Sequence, residues 1–203
     1  MAIHRAFDEV FRSWSHVAVL RTLVDTTTGR TGNEVARLSG MHPLTALKAL
    51  SSLEELGIVR RQRGGRDHIF TLNREHFLVR SAILPLYKSE SEFETEIFGY
   101  LASLLKKNVV SAVIFGSTAR GEETATSDLD VCCIVENDKR KENVRSLLDG
   151  KSSQLHDEFG IRLSPIFFTV SEAKGKKNSS LFKKIVKEGK RLVGKKLEAV
   201  IGR

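Results

Sequence analysis

The segment FGSTARGEETATSDLDV, residues 115–131, contains the residue types in this chain that could carry out chemistry. Gly116 and Ser117 follow an apolar run that reads as a strand. A strand that ends in Gly-Ser before a helix offers backbone N–H groups and a hydroxyl to a phosphate. Gly116 has no side chain, so a phosphate can approach the backbone closely. The end of this strand therefore predicts a phosphate-binding turn.

Two aspartates, Asp128 and Asp130, follow Ser117 after ten intervening residues, at the start of a second apolar run. Residues two apart on a strand project from the same face. Two carboxylates so placed suit Mg²⁺ or Mn²⁺ held jointly with the phosphates of a nucleotide. The alternative is a polar turn with aspartate caps. Two like charges this close repel each other, however, unless a cation or separate hydrogen bonds stabilise them.

The combination of Gly-Ser, ten residues and Asp-x-Asp between apolar strands resembles the minimal nucleotidyltransferase group of the DNA polymerase beta-like superfamily. The resemblance covers roughly residues 108–190, and the runs ARG (119–121) and SDLD (127–130) fit it as well. It implies that Gly116 and Ser117 bind the phosphates of an NTP, with ATP favoured. It also implies that Asp128 and Asp130 are catalytic metal ligands. Arg120 either reaches the phosphates or pairs with a neighbouring acid, Glu122 or Glu123.

The family normally adds a third carboxylate from a neighbouring strand, and this chain departs from that pattern. The candidate strand, IRLSPIFFTV at residues 161–170, contains no acid. We expect Ser164 or Arg162 to face the aspartate pair there. The nearby acids are predicted to lie off the strand: Asp157, Glu158 and Glu172. Loss of a general base typically lowers a rate by about 10²–10⁴-fold.

The resemblance implies transfer of a nucleoside monophosphate from an NTP to an acceptor hydroxyl, with release of pyrophosphate. The acceptor is open: a protein, a small molecule, an RNA end or the toxin partner of an antitoxin. The missing acid favours an alternative, in which a DNA-binding transcriptional regulator uses this domain to sense nucleotide or to dimerise.

The elements that position these residues form the last of three predicted stretches. Residues 108–203 alternate strands with helices and end in a basic helix, which predicts an α/β (α+β) domain with a mixed sheet. Residues 76–107 predict a helical connector, kinked or broken at Pro85. Its glutamates at 90, 92, 94 and 96 are two residues apart, so on a helix they point in different directions. This spacing predicts a solvated face rather than a metal site.

Residues 1–75 predict short helices followed by a hairpin around Gly64-Gly65. This order resembles the winged helix-turn-helix of many transcription regulators, mostly α with a β-hairpin wing. By that resemblance the second helix of the turn enters the major groove of double-stranded DNA, and the wing meets the backbone. The groove-facing residues would be Thr45, Lys48, Ser51 and Ser52, and the phosphate contacts Arg60, Arg61, Arg63 and Arg66. A homodimer reading two half-sites is expected.

The composition fits these assignments. The net charge is +8, and residues 171–203 hold eleven basic and three acidic side chains, a net of +8. Such basic stretches attract polyanions, although a lysine-rich helix can also serve only solubility. The adjacent Cys132 and Cys133 point to opposite strand faces and are expected to be buried hydrophobes. No apolar run is long enough to cross a bilayer, which predicts a cytoplasmic protein without membrane contact.

Overall fold

The computed structural model describes residues 3–202 and divides the chain into two compact units, which separate after Phe93. Among these residues no helix is both long and apolar enough to cross a membrane. The first unit begins with helices and a short strand: α1 (Ala6–Val10), α2 (Trp14–Val24), β1 (Arg30–Thr31), α3 (Gly32–Ser39) and α4 (Pro43–Glu55). A hairpin follows, formed by β2 (Val59–Gly64) and β3 (Asp67–Leu72). The strands lie in the order β1-β3-β2, and both pairs are antiparallel.

Local sequence signals start and stop these helices. Thr31 and Glu34 form a reciprocal capping box at the start of α3, which satisfies two amide groups that the helix cannot. Gly40 ends α3 in the left-handed conformation. The side chain of His42 caps α4, and Pro43 occupies its first turn, where no N–H is needed.

The buried face of α4 differs from the leucine row that its sequence suggests. Leucines recur at 44, 47, 50, 53 and 56, and this row predicts one apolar side of the helix. In the structure Leu50 and Leu53 are buried together with Ala46 and Ala49, whereas Leu44 and Leu47 are 56% and 42% exposed. A spacing of three falls behind the helical turn by about 60° per step, so that the row winds off the core.

Pro85 neither breaks nor ends its helix. A π-helical turn (Val79–Ile83) precedes α5 (Leu84–Leu105), and the chain stays helical through Pro85. A π turn is one of the adjustments by which a helix absorbs an irregularity. Three of the glutamates of α5 pair with cations: Glu90 with Arg21, Glu92 with Lys88 and Glu94 with Lys190. The hydrogen bonds from Arg21 to Glu90 hold the pKa of this carboxyl below its usual value.

The second unit contains a four-stranded sheet. Its elements are β4 (Ser111–Phe115), α6 (Gly116–Arg120), β5 (Leu129–Val135), α7 (Asp138–Phe159), β6 (Leu163–Thr169), α8 (Val170–Gly175), α9 (Ser180–Glu188), β7 (Lys190–Gly194) and α10 (Leu197–Ile201). The strand order is β6-β5-β4-β7, in which only β5 and β6 run parallel. The predicted mixed sheet is therefore confirmed.

Two apolar cores lie on the two faces of this sheet. One core contains residues of α5 and α7, and the other contains residues of α8, α9 and α10. The adjacent cysteines divide between them: Cys133 lies in the first core and Cys132 in the second. Burial raises the pKa of each thiol to about 12, which keeps both protonated and unreactive.

The basic C-terminal region does not end in the basic helix that was predicted. Helix α9 stops at Glu188, and residues 190–194 form β7, an edge strand against β4. The sequence predicts Leu181 on the buried side of this helix with Ile185 and Val186, but Leu181 is 37% exposed, whereas Phe182 is fully buried against Phe168. Only two apolar residues, Leu192 and Val193, mark the strand in sequence, and its pairing partner lies about 80 residues away.

We expect Phe182→Ala to lower the free energy of unfolding by about 3–5 kcal/mol, because it empties a fully buried ring site. Leu181→Ala, the neighbouring exposed position, should change it by less than about 0.5 kcal/mol. Denaturant titrations followed by far-UV circular dichroism measure both. Equal losses in the two variants would contradict the assignment of the buried face of α9.

Candidate functional site

Gly116 lies where β4 ends, and its backbone is in close contact with a carboxylate. Phe115 pairs in register with Asp130 on β5, and Gly116 then turns the chain with φ of +76°. A Cβ built at Gly116 would overlap the carboxylate of Asp130. Both the left-handed backbone and the missing space restrict this position to glycine. The predicted phosphate-binding turn therefore touches one of the two predicted metal ligands.

The turn itself is short. Helix α6 has only five residues, and Gly121 ends it in the left-handed conformation. The first amide groups of a helix have no acceptor within it, so those at the start of α6 need a partner from outside the helix, which an anion can provide. Ser117 is partly buried beside them. A helix this short adds little dipole, so the amides and the hydroxyl are the binding groups.

Asp128 lies one residue before β5 and is held by β6. Its Oδ1 is 3.3 Å from Nε of Arg162. The backbone N–H of Leu129 donates to the carbonyl oxygen of Arg162 at 2.8 Å, and Arg162 Nη2 donates to the carbonyl oxygen of Thr126 at 3.3 Å. Arg162 thus fixes the backbone on both sides of Asp128 and neutralises its charge.

The strand beside the aspartate pair carries no acid at the facing positions. Asp130 pairs in register with Ser164, and the preceding polar position on that face is Arg162. Glu172, one of the acids considered as a replacement, is bound to Lys141 and caps α8. Asp157 and Glu158 lie in α7. Among residues 3–202 no three His, Cys, Asp or Glu side chains form a cluster that could hold a metal.

The two aspartates alone fit a Mg²⁺ ion that is shared with a substrate. Mg²⁺ is commonly held by one or two carboxylates together with phosphate oxygens and water rather than by a full set of protein ligands. Asp130 beside the Gly116 turn fits this arrangement, because the predicted phosphate-binding turn and the predicted metal ligand are in contact.

Arg120 is engaged by carboxylates. Its Nε donates to Glu122 at 2.7 Å and its Nη1 to Glu188 at 3.2 Å. The hydrogen bond to Glu122 is the main reason why the pKa of Arg120 lies above its usual value. The sequence suggested Glu122 as one partner, but it gave no signal for Glu188, which is 68 residues away on α9. A phosphate ligand role for Arg120 would require exchange of these partners.

The first unit places most of its predicted nucleic-acid residues on the surface of α4 and the hairpin. Lys48 and Ser51 are exposed, and Thr45 is half-buried. Ser52 is also half-buried and accepts a hydrogen bond from Arg12 at 3.1 Å. The exposed Leu44 and Leu47, which were not predicted for this surface, line one groove together with Ser51.

The four hairpin arginines differ in their partners. Arg60 pairs with Glu75 at 3.3 Å, and Arg61 pairs with Glu54 at 3.2 Å. Arg63 and Arg66 lie nearest the turn and have no ion-pair or hydrogen-bond partner among residues 3–202. Their charges are therefore the ones on the hairpin that are most available to a polyanion.

A comparison with protein families found a match within the second unit. Residues 95–193 match the nucleotidyltransferase domain family. The match contains Gly116, Ser117, Asp128 and Asp130, and it confirms the nucleotidyltransferase resemblance inferred from them. No curated protein matches this chain. A solved structure described as a toxin-antitoxin with AMP-PNP is 17% identical, covers 52% of this chain and 81% of its own, and has a TM-score of 0.36.

We expect Gly116→Ala to damage the nucleotidyltransferase domain more than Gly121→Ala does. Both glycines have positive φ, and alanine there costs about 1–2 kcal/mol of stability. Only at Gly116 does the new methyl group also displace the Asp130 carboxylate, since nothing lies within 4 Å at Gly121. Thermal denaturation should show the larger loss for Gly116→Ala. Calorimetry with Mg²⁺ and ATP should show lost binding in this variant alone, and unchanged binding would contradict the assignment.

Proposed function

We propose that residues 94–202 bind a nucleoside triphosphate with Mg²⁺, or Mn²⁺, and transfer the nucleoside monophosphate to an acceptor hydroxyl. The observation that carries the proposal is the contact of Gly116 with Asp130 inside a segment that matches the nucleotidyltransferase domain family. It brings phosphate donors and a metal ligand together, which is what phosphoryl chemistry requires of a protein.

The roles follow from the groups present. Asp128 and Asp130 would hold the metal ion, and the amides at Gly116 and Ser117 with the Ser117 hydroxyl would bind the triphosphate. The bound ion would offset phosphate charge in the transition state. The acceptor oxygen would form a bond to the α-phosphorus of the NTP. The bond between the α-phosphorus and the oxygen that bridges it to the β-phosphorus would break, so that pyrophosphate leaves and the acceptor hydroxyl loses its proton. ATP is the favoured substrate, and a protein acceptor, including a toxin partner, is one candidate.

A second candidate function is nucleotide sensing by a transcriptional regulator. It is favoured by Arg162, which takes the position facing Asp128 where a third acid would otherwise activate the acceptor. In this case the domain binds nucleotide and metal without efficient transfer of the nucleoside monophosphate. The first unit would then regulate transcription through its binding to DNA.

The first unit supports a DNA-binding role in either case. From α2 onward the elements follow in the order α2, β1, α3, α4, β2, β3, and the strands lie in the order β1-β3-β2. This is the order expected of a winged helix-turn-helix. We infer that α4 enters the major groove and that Arg63 and Arg66 contact phosphates. A homodimer would present two such units to two half-sites.

We expect Asp128→Asn or Asp130→Asn to reduce labelling of acceptors by more than about 100-fold, because loss of even indirect metal partners costs about 10–100-fold. The assay incubates the chain and a cell lysate with α-labelled ATP, GTP, CTP or UTP and Mg²⁺. Asp149→Asn, an exposed acid on α7, is the matched control and should label as the unchanged chain does. If the unchanged chain binds nucleotide but labels no acceptor, the result favours the sensor function. If it neither binds nucleotide nor labels an acceptor, both candidate functions are rejected.

Removal of the unpaired hairpin arginines should weaken duplex DNA binding in a salt-dependent way. Each phosphate contact contributes about −0.9 to the slope of log K against log salt, so Arg63→Ala with Arg66→Ala should reduce the slope by about 2. Arg80→Ala, an exposed arginine outside the hairpin, should leave it unchanged. Fluorescence anisotropy of a labelled duplex over a salt series measures the slopes. The DNA proposal fails if the hairpin and control variants behave alike.

A further inference from the structure

We infer that Arg162 limits the nucleotide site to a single divalent cation and supplies, through its guanidinium, positive charge to the bound phosphates. This inference rests on the proposed function and adds a specific residue to it. It starts from the position of Arg162, one residue before β6, whose Nε lies 3.3 Å from Oδ1 of Asp128, one residue before β5.

The protein ligands at the aspartate pair suffice for one ion. Asp128 and Asp130 are the two carboxylates there, and the guanidinium of Arg162 lies at contact distance from Asp128. Sites that hold two ions for phosphoryl transfer place them about 3.5–4 Å apart, so a second ion would need further ligands on the side where Arg162 lies. In residues 3–202 no third acid joins the pair, and a second dication would meet the guanidinium instead.

The same geometry places the guanidinium near the phosphates. Asp128 and Asp130 would hold the ion together with the phosphates of the nucleotide. The guanidinium, which contacts Asp128, therefore lies beside the place where those phosphates would bind. A guanidinium presents several donors in a planar fork that matches a phosphate. The side chain is 64% exposed, so it can turn from Asp128 to a phosphate without disturbing the core.

The backbone around Arg162 keeps this residue in place. Its carbonyl accepts the Leu129 N–H at 2.8 Å, and the next residue, Leu163, pairs in register with Leu129 on β5. The register of this parallel pair places Ser164 beside Asp130, and by the same register Arg162 lies beside Asp128. Substitution of the exposed side chain should therefore leave the strand intact.

The test counts metal ions and measures nucleotide affinity, so it does not depend on turnover. The full chain is titrated with Mn²⁺ in the presence of the nonhydrolysable analogue of whichever common ribonucleoside triphosphate binds best. Electron paramagnetic resonance reports free Mn²⁺, and calorimetry reports the nucleotide Kd. The unchanged chain should bind one Mn²⁺ per nucleotide. Arg162→Gln should keep one and weaken nucleotide binding about 10- to 100-fold, the cost of a lost charge-assisted hydrogen bond.

Two further variants sharpen the test. Arg162→Asp should bind two Mn²⁺ per nucleotide, because it replaces the cation by a third carboxylate. Arg140→Gln removes the same charge at the start of α7, after the far end of β5, and should match the unchanged chain. Circular dichroism checks that each variant is folded.

Two Mn²⁺ per nucleotide in the unchanged chain would overturn the inference and leave the proposed function standing. An undiminished nucleotide affinity in folded Arg162→Gln would do the same. Absence of any Mn²⁺-dependent nucleotide binding in the unchanged chain would reject the proposed function itself, and the role of Arg162 with it.

Discussion

The second unit depends on one close approach between a backbone turn and a carboxylate. Strands β4 and β5 pair so that Phe115 lies opposite Asp130, and the chain must leave β4 at Gly116 without meeting that carboxylate. Only a residue without a Cβ can make this turn, with φ of +76°. The same pairing of the strands brings the proposed phosphate-binding turn against the proposed metal ligand. The site is therefore a consequence of how two strands are joined and paired.

Charge pairing then decides what each polar group can do in a chain whose net charge is +8. Asp128 is matched by Arg162, and Arg120 is matched by Glu122 and Glu188. These pairs are partly exposed to water, so they contribute little stability and can exchange partners. A bound nucleotide and its metal ion would compete with them at low cost. Such pairs can thus stabilise an unliganded site without blocking it.

The same principle separates the arginines of the first unit. Arg60 and Arg61 lie along β2 and pair with a loop acid and a helix acid, whereas Arg63 and Arg66 lie close to the turn and form no ion pair within residues 3–202. A hairpin of this kind exposes its cationic tip to a polyanion while its base is neutralised. Leu44 and Leu47 add apolar surface to the exposed side of α4. The exposed surface of α4 and the hairpin therefore combines polar, apolar and cationic groups, the types that the proposed DNA contact would use.

The sequence by itself determined the elements with strong local signals. The apolar strands, the Gly-Ser turn, the Asp-x-Asp pair, the capped helices and the glycine hairpin are each encoded within a few neighbouring residues, and so the nucleotidyltransferase class could be predicted from them. Only the tertiary structure decided that Arg162 lies beside Asp128, that Glu188 reaches Arg120, that residues 190–194 form a strand, and that Leu44 and Leu47 leave the core. The first three depend on pairing between residues far apart in the chain. The fourth depends on which side of α4 the rest of the unit covers, and neither kind of information is present in a local pattern.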